Sequence, residues 1–217
     1  MQLRGTVLVT GGTRRIGKAI AERLRAVGWR VLTSSHRADA GADIVADLAD
    51  ASGAVRLYAA ALQAAPDLCA IVNNAALFDG DDATLEAVNL IAPCKLATLL
   101  AGRDGVRCAV VNIIDSKTLG GESTNDTAYA RTKRELLAAT RKFAAMFAQT
   151  LRVNAVAPGP VLPPENRHEP SGEMLFDRRP TPEDVADAVA YLLGANAVTG
   201  VVIPVDSGQH LLCSDVV

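Results

Sequence analysis

Hydrophobic and polar positions along this chain alternate between two kinds of stretch. Short β-branched runs are apolar throughout, and longer segments carry one apolar stripe. Thr6–Thr10, Arg30–Ser34, Asp43–Ala46, Leu68–Val72, Val106–Ile114, Leu151–Val156 and Thr199–Asp206 are the runs. Continuous apolarity over four to nine residues predicts strands buried on both faces, as in a parallel sheet. Between them, Lys18–Val27, Ala49–Ala65, Asp82–Leu100, Thr127–Thr150 and Pro182–Leu193 have the spacing of helices that bury one face. Gly28 and Gly194 stop two of these helices, and Thr181 followed by Pro182 starts one. Alternating strand and helix predicts a doubly wound α/β sheet of about seven strands in a single domain, 1–217. Only about eight residues join the second and third strands, fewer than a helical crossover needs. That helix should be absent or a single turn, leaving one side of the sheet's ligand edge open.

Composition narrows the class. Of 217 residues, 49% are hydrophobic but only 4% aromatic, so the core must be built of Ala, Val, Leu and Ile. The net charge of -2 gives no basic footprint for nucleic acid or an anionic membrane. No apolar run reaches the length of a membrane span, and the N-terminus lacks a signal peptide pattern. Cys69, Cys94, Cys108 and Cys213 are far apart without Cys-x-x-Cys spacing, which suggests thiols in a reducing cytoplasm, not disulfides or zinc ligands.

Three stretches carry candidate chemistry. Gly11-Gly-Thr-Arg-Arg-Ile-Gly17 joins the first strand to the first helix, where glycines allow a tight turn and a pyrophosphate at the helix N-terminus. After the second strand stand Ser35, His36 and Arg37, with no acid before Asp39. A planar cation, a hydroxyl and an imidazole suit a 2′-phosphate, so NADPH is expected over NADH, unless these are merely solvated loop residues. Tyr129 and Lys133 share a helix face one turn apart. An ammonium there favours the phenolate and lowers the phenol pKa, fitting Tyr129 for general acid work. Phe78, six residues past the fourth strand, either stacks on a flat substrate or plugs a local gap. Asp115 and Ser116 end the fifth strand at the edge where such sheets bind ligands.

Thr10-Gly-Gly…Gly17, Asn73-Asn-Ala, Asn89, Tyr129-x-x-x-Lys133, Pro158-Gly and Thr199-Gly…Val-Asp206 fall in one order along nearly the whole chain. That order resembles the short-chain dehydrogenase/reductase family. Arg15 in its turn, Arg37 after a histidine, Asp115 in place of a serine and Phe78 look like the pteridine reductase and dihydromonapterin reductase branch. The resemblance implies a Rossmann-type fold, NADPH or NADP+ as cofactor, and hydride transfer to a pterin-like substrate. It implies cofactor contacts from Gly11, Thr13, Arg14, Arg15, Ile16, Gly17, Ser35, His36, Arg37, Asp47, Leu48, Asn73, Asn74, Ala75, Tyr129, Lys133, Pro158 and Gly159. Substrate contacts fall to Phe78, Asp115, Tyr129 and Pro160. Tyr129 delivers a proton, Lys133 binds the nicotinamide ribose, and Asn89, at a helix kink beside Pro93, holds Lys133 through water.

The family's catalytic serine lies three residues past the fifth strand's asparagine, which points to Asp115. Counted back from Tyr129, the same position is Ser116. Strand register is the firmer ruler, because loops absorb insertions. The alternatives are a ketone reductase using Ser116 and an NADP(H)-binding sensor without turnover. A homo-oligomer, dimer or tetramer, is implied through the Tyr129 helix and the last strand. The proline-rich segment 161–180 reads as a short substrate loop.

Overall fold

The structure is a computed structural model that describes residues 5–120, 127–163 and 173–212. Cys213 and residues 164–172 of the expected substrate loop lie outside these. Seven parallel strands run in the order β3-β2-β1-β4-β5-β6-β7. They are β1 (Thr6–Thr10), β2 (Arg30–Ser35), β3 (Ile44–Val45), β4 (Leu68–Asn73), β5 (Cys108–Ile113), β6 (Leu151–Pro158) and β7 (Val202–Val205). Register pairs Thr10 with Ser34, Asn73 with Asn112, and Ile113 with Val156. The strand ends that carry the motifs therefore share one edge. Strand order reverses between β1 and β4, and ligands of such sheets bind outside the strand ends at that reversal.

Two apolar layers cover the sheet. Helices α1 (Arg15–Ala26) and α6 (Pro182–Gly194) lie on one face, packing Ile20, Leu24, Val185, Val189 and Leu192 against Val7, Val9, Val72 and Val111. On the other, α2 (Gly53–Ala64) and α4 (Ala92–Ala101) pack Leu57, Ala61, Leu96 and Leu100 against Leu8, Ile71 and Val110. The long helix α5 (Ala128–Met146) adds Leu136 and Leu137, buried beside Ala155 and Ala157 of β6. Small core residues let these helices approach closely, as the low aromatic content requires. Thr181 caps α6 in a reciprocal box with Asp184.

Several boundaries differ from the sequence expectation. The second crossover holds only a 3-10 turn, Ala38–Ala40, as anticipated, but β3 shrinks to two residues. Helix α2 begins at Gly53, not Ala49. The carboxylates of Asp47 and Asp50 accept the Ala49 and Ser52 amides and hold the intervening chain in turns. Gly53 is required there, since a Cβ would sit 1.8 Å from the Asp47 carbonyl oxygen. The segment from Asp82 is a short helix α3 (Asp82–Glu86), a widened π turn (Ala87–Ile91), then α4. Pro93 lacks the N–H that would pair with the Asn89 carbonyl, so the helix widens ahead of it. The twenty residues Asp82–Ala101 are, against expectation, long and apolar enough to cross a membrane by length and composition. Here they pack against α2, α5 and the sheet.

Candidate active site

At the carboxyl edge of β5, Asp115 accepts a hydrogen bond from the Tyr129 hydroxyl at 3.3 Å through Oδ2. Its Oδ1 accepts the Lys117 amide at 2.9 Å, which fixes the carboxylate over a 3-10 turn, Ser116–Thr118. Thr127 caps α5, and Lys133, one turn past Tyr129, is buried. Lys133 Nζ donates to the Ile113 carbonyl at 2.9 Å and stands 5.7 Å from the Tyr129 ring centroid. The Phe78 ring packs on Tyr129 with centroids 4.7 Å apart, yet remains 58% exposed, which leaves it a face for another flat molecule. It is a packed platform at a mouth, not a sealed plug.

Burial pushes the Tyr129 phenol well above its ordinary range, and the Asp115 carboxylate pushes it further. This corrects the sequence expectation of a lowered phenol pKa: the adjacent carboxylate and desolvation dominate, so Tyr129 holds its proton firmly. Burial lowers Lys133 to about 8, with Asp115 pulling the other way. Ser116, the alternative to Asp115, is 1% exposed, and its Oγ finds no hydrogen-bond partner among the described residues. Of the two, Asp115 is the one that the Tyr129 hydroxyl meets.

The Asn89 side chain bonds to Leu77 and Thr132. Its Oδ1 accepts the Leu77 amide at 2.9 Å, and its Nδ2 donates to the Leu77 carbonyl at 2.8 Å and to Thr132 Oγ1 at 3.4 Å. It zips the segment after β4 onto the π turn, placing Phe78 beside Tyr129. It reaches α5 through Thr132, the residue before Lys133.

A cleft of about 430 Å³ lies over β1, β2 and β4. Gly11, Thr13, Arg14, Arg15, Ile16 and Gly17 line it, with Ser35, His36, Asp47, Leu48, Asn74 and Ala75. Its wall continues through Ala76 and Leu77, one residue short of Phe78. The turn is tight: a Cβ on Gly17 would lie 2.1 Å from the Gly11 carbonyl oxygen, and Gly11 has φ 62°. Arg15 adopts φ 50°, a left-handed conformation where the related turn often has glycine, and its guanidinium donates to the Pro163 carbonyl at 2.7 Å. The residues fit a dinucleotide: close-approach glycines at a helix N-terminus, and Ser35 and His36 at the end of β2.

Several predicted contacts are not on that lining. Arg37 points to Asp39, forming two bonds of 3.0 and 2.8 Å, because an acid two residues away meets its fork first. Asn73 is buried and donates to Asn112 Oδ1 at 2.8 Å; Asn112 in turn donates to Thr140 on α5. It ties sheet to helix. Pro158 belongs to β6, and Gly159 packs against Asp206, whose Cβ would lie 2.7 Å from one added to the glycine. The Pro160 carbonyl accepts from Arg179. Missed by sequence reasoning were Thr10, whose hydroxyl accepts the Asn74 and Ala75 amides at 3.0 Å, and Thr132. Ala76, Leu77, Thr84 and Val88 also line the cleft. Threonines and aliphatics carry no chemical signature; only Thr10's place at the head of the glycine turn could have marked it.

A family model described as Enoyl-(Acyl carrier protein) reductase matches residues 11–210. This chain belongs to the short-chain dehydrogenase/reductase family. It is thus an oxidoreductase by family. It is 31% identical to Protein FixR of Bradyrhizobium diazoefficiens, over 94% of this chain and 86% of that one. Dihydromonapterin reductase of Escherichia coli strain K12 is 28% identical, over 94% and 96%. The crystal structure of FolM Alternative dihydrofolate reductase 1 from Brucella canis, complexed with NADP, superposes with a TM-score of 0.84 at 32% identity, over 96% and 95% of the chains. The family assignment and the pterin-reductase relatives agree with the branch expected from Arg15, Phe78 and Asp115.

Proposed function

We propose that this chain is an NADPH-dependent reductase of a pterin-like heterocycle. The observation that carries the reading is the Tyr129–Asp115 hydrogen bond beside the exposed Phe78 ring. Relatives named as dihydromonapterin reductase and FolM, the latter complexed with NADP, support it.

The glycine turn would hold the pyrophosphate, with Ser35, His36 and Arg14 toward the adenosine phosphate. When bound, the reduced nicotinamide supplies the hydride. The chain's residues do the rest. Phe78 positions a flat ring by stacking. Asp115 accepts hydrogen bonds, so it suits the donor-bearing, guanidine-like edge of a pterin better than a ketone oxygen, which needs a donor. Tyr129, held protonated, delivers the proton, and Lys133 orients the ribose. Removing a positioned general acid costs typically about 10²–10⁴-fold, so Tyr129→Phe should lower kcat by that range with the NADPH dissociation constant little changed.

The test is NADPH consumption with dihydromonapterin or dihydrobiopterin beside a panel of ketones and quinones. Pterin turnover supports the reading; turnover of carbonyls alone overturns it. A homo-oligomer is also proposed, supported by Ile91 and Met146, 56% and 57% exposed on outward helix faces. Light scattering that returns a monomer would contradict it.

A further inference from the structure

The opposite edge of the sheet carries a second cavity, of about 420 Å³, that the reductase chemistry does not use. It opens where strands begin: Trp29 precedes β2, Cys69 is the second residue of β4, Arg107 precedes β5, Arg152 is the second residue of β6, Leu193 lies in the last turn of α6, and Asn196 follows that helix. No acidic side chain lines it.

Arginines at this edge are otherwise spent on carbonyls. Arg30 donates to Ala64 O at 3.0 Å and Arg103 to Pro66 O at 2.8 Å. Arg152 is fixed by three carbonyls, Leu192, Leu193 and Val198, at 2.8 to 3.2 Å. These bonds occupy the carbonyls that would make the α6 C-terminus repel an anion. Arg107 is different: it is exposed and makes no hydrogen bond or ion pair among the described residues. Its charge is close enough to Arg152 to lower that guanidinium's pKa, after burial. Two like charges thus face one cavity with no acidic side chain among the described residues that line it. The walls are apolar: Trp29 is 8% exposed, and its indole N–H has no acceptor among the described residues.

We propose that this cavity binds a small organic anion, with a carboxylate or phosphate head on Arg107 beside Arg152 and a flat apolar body against Trp29 and Leu193. Its volume falls in the range of small-molecule sites, about 300–1,000 Å³. Guanidinium forks pair with both head groups through two parallel hydrogen bonds. The site stands apart from the nucleotide cleft, so both can be filled together.

Trp29 is the only tryptophan in the chain, so the cavity carries its own fluorescent reporter. The full-length protein, saturated with NADP+, is titrated with phenyl phosphate, benzoate and neutral benzamide, following Trp29 emission and, in parallel, heat by calorimetry. The expected result is saturable binding of at least one anion and none of benzamide. The anion that binds identifies the head group. Affinity should fall at least tenfold in Arg107→Ala and largely return in Arg107→Lys, with the circular dichroism of both unchanged. The Trp29→Phe variant, read by calorimetry, should keep the anion. Absence of saturable binding by both methods overturns the proposal. So does binding unchanged in Arg107→Ala, equal binding of benzamide, or an anion displaced by NADP+.

Discussion

Arg37 shows how one neighbouring acid can hold in reserve a residue proposed for recognition. Its fork grips Asp39, and both side chains are more than half exposed. Solvent screens such surface pairs, so a 2′-phosphate can take the fork at small cost. Asp39→Asn frees it. The variant should bind NADPH roughly 2- to 5-fold more tightly while NADH is unchanged; a competition titration with both nucleotides checks this, and equal gains for the two would be wrong. Asp115 is the other residue whose neighbours set its meaning. It favours the Lys133 ammonium, which burial holds at about 8. If reduction needs that ammonium, kcat/KM falls on the basic side through about pH 8. In Asp115→Asn the surviving activity should lose its basic limb at lower pH, because the carboxylate that raised the lysine is gone. A limb that stays in place, or moves up, would detach it from Lys133.

Elements explain what could be read from the chain and what could not. Continuous apolar runs gave the strands, since burial on both faces leaves no other reading, and the eight-residue gap after β2 gave the missing crossover helix. Asp115 was singled out because strand register counts rigidly from Asn112, while the loop before Tyr129 does not, and the fold brings it to the Tyr129 hydroxyl. Illegible were effects that arise only when elements meet. The Asp47 and Asp50 turns displaced the start of α2, and the π turn ahead of Pro93 brings Asn89 onto Leu77. The rise of the Tyr129 pKa also needs the fold, because a Tyr–Lys spacing shows neither desolvation nor the Asp115 carboxylate. The glycine turn is the strictest element. Gly17→Ala would push a methyl to 2.1 Å from the Gly11 oxygen, so the turn must open. We expect a stability loss of about 2 kcal/mol or more and loss of nucleotide binding, read by denaturant melts and NADPH titration.

For the whole molecule, the site is bought with stability. Lys133 is buried with its folded pKa below its ordinary value, so the folded state resists its proton. The penalty is complete below about pH 8 and fades as pH rises toward the ordinary lysine value of about 10.4. Lys133→Met should therefore be more stable near neutral pH, by on the order of 3 kcal/mol at most, while losing activity. Its advantage should shrink across that alkaline window in urea melts at several pH values; a constant difference would mean that the lysine is not penalised. The central claim, that Asp115 and not Ser116 partners Tyr129 in reducing a pterin, rests on one arrangement of side chains at the end of β5. The most direct test is the rate of NADPH-dependent dihydropterin reduction in Asp115→Ala and Ser116→Ala beside the parent protein. The account predicts a rate lost by about two orders of magnitude or more in Asp115→Ala and largely kept in Ser116→Ala. Loss confined to Ser116→Ala would contradict it.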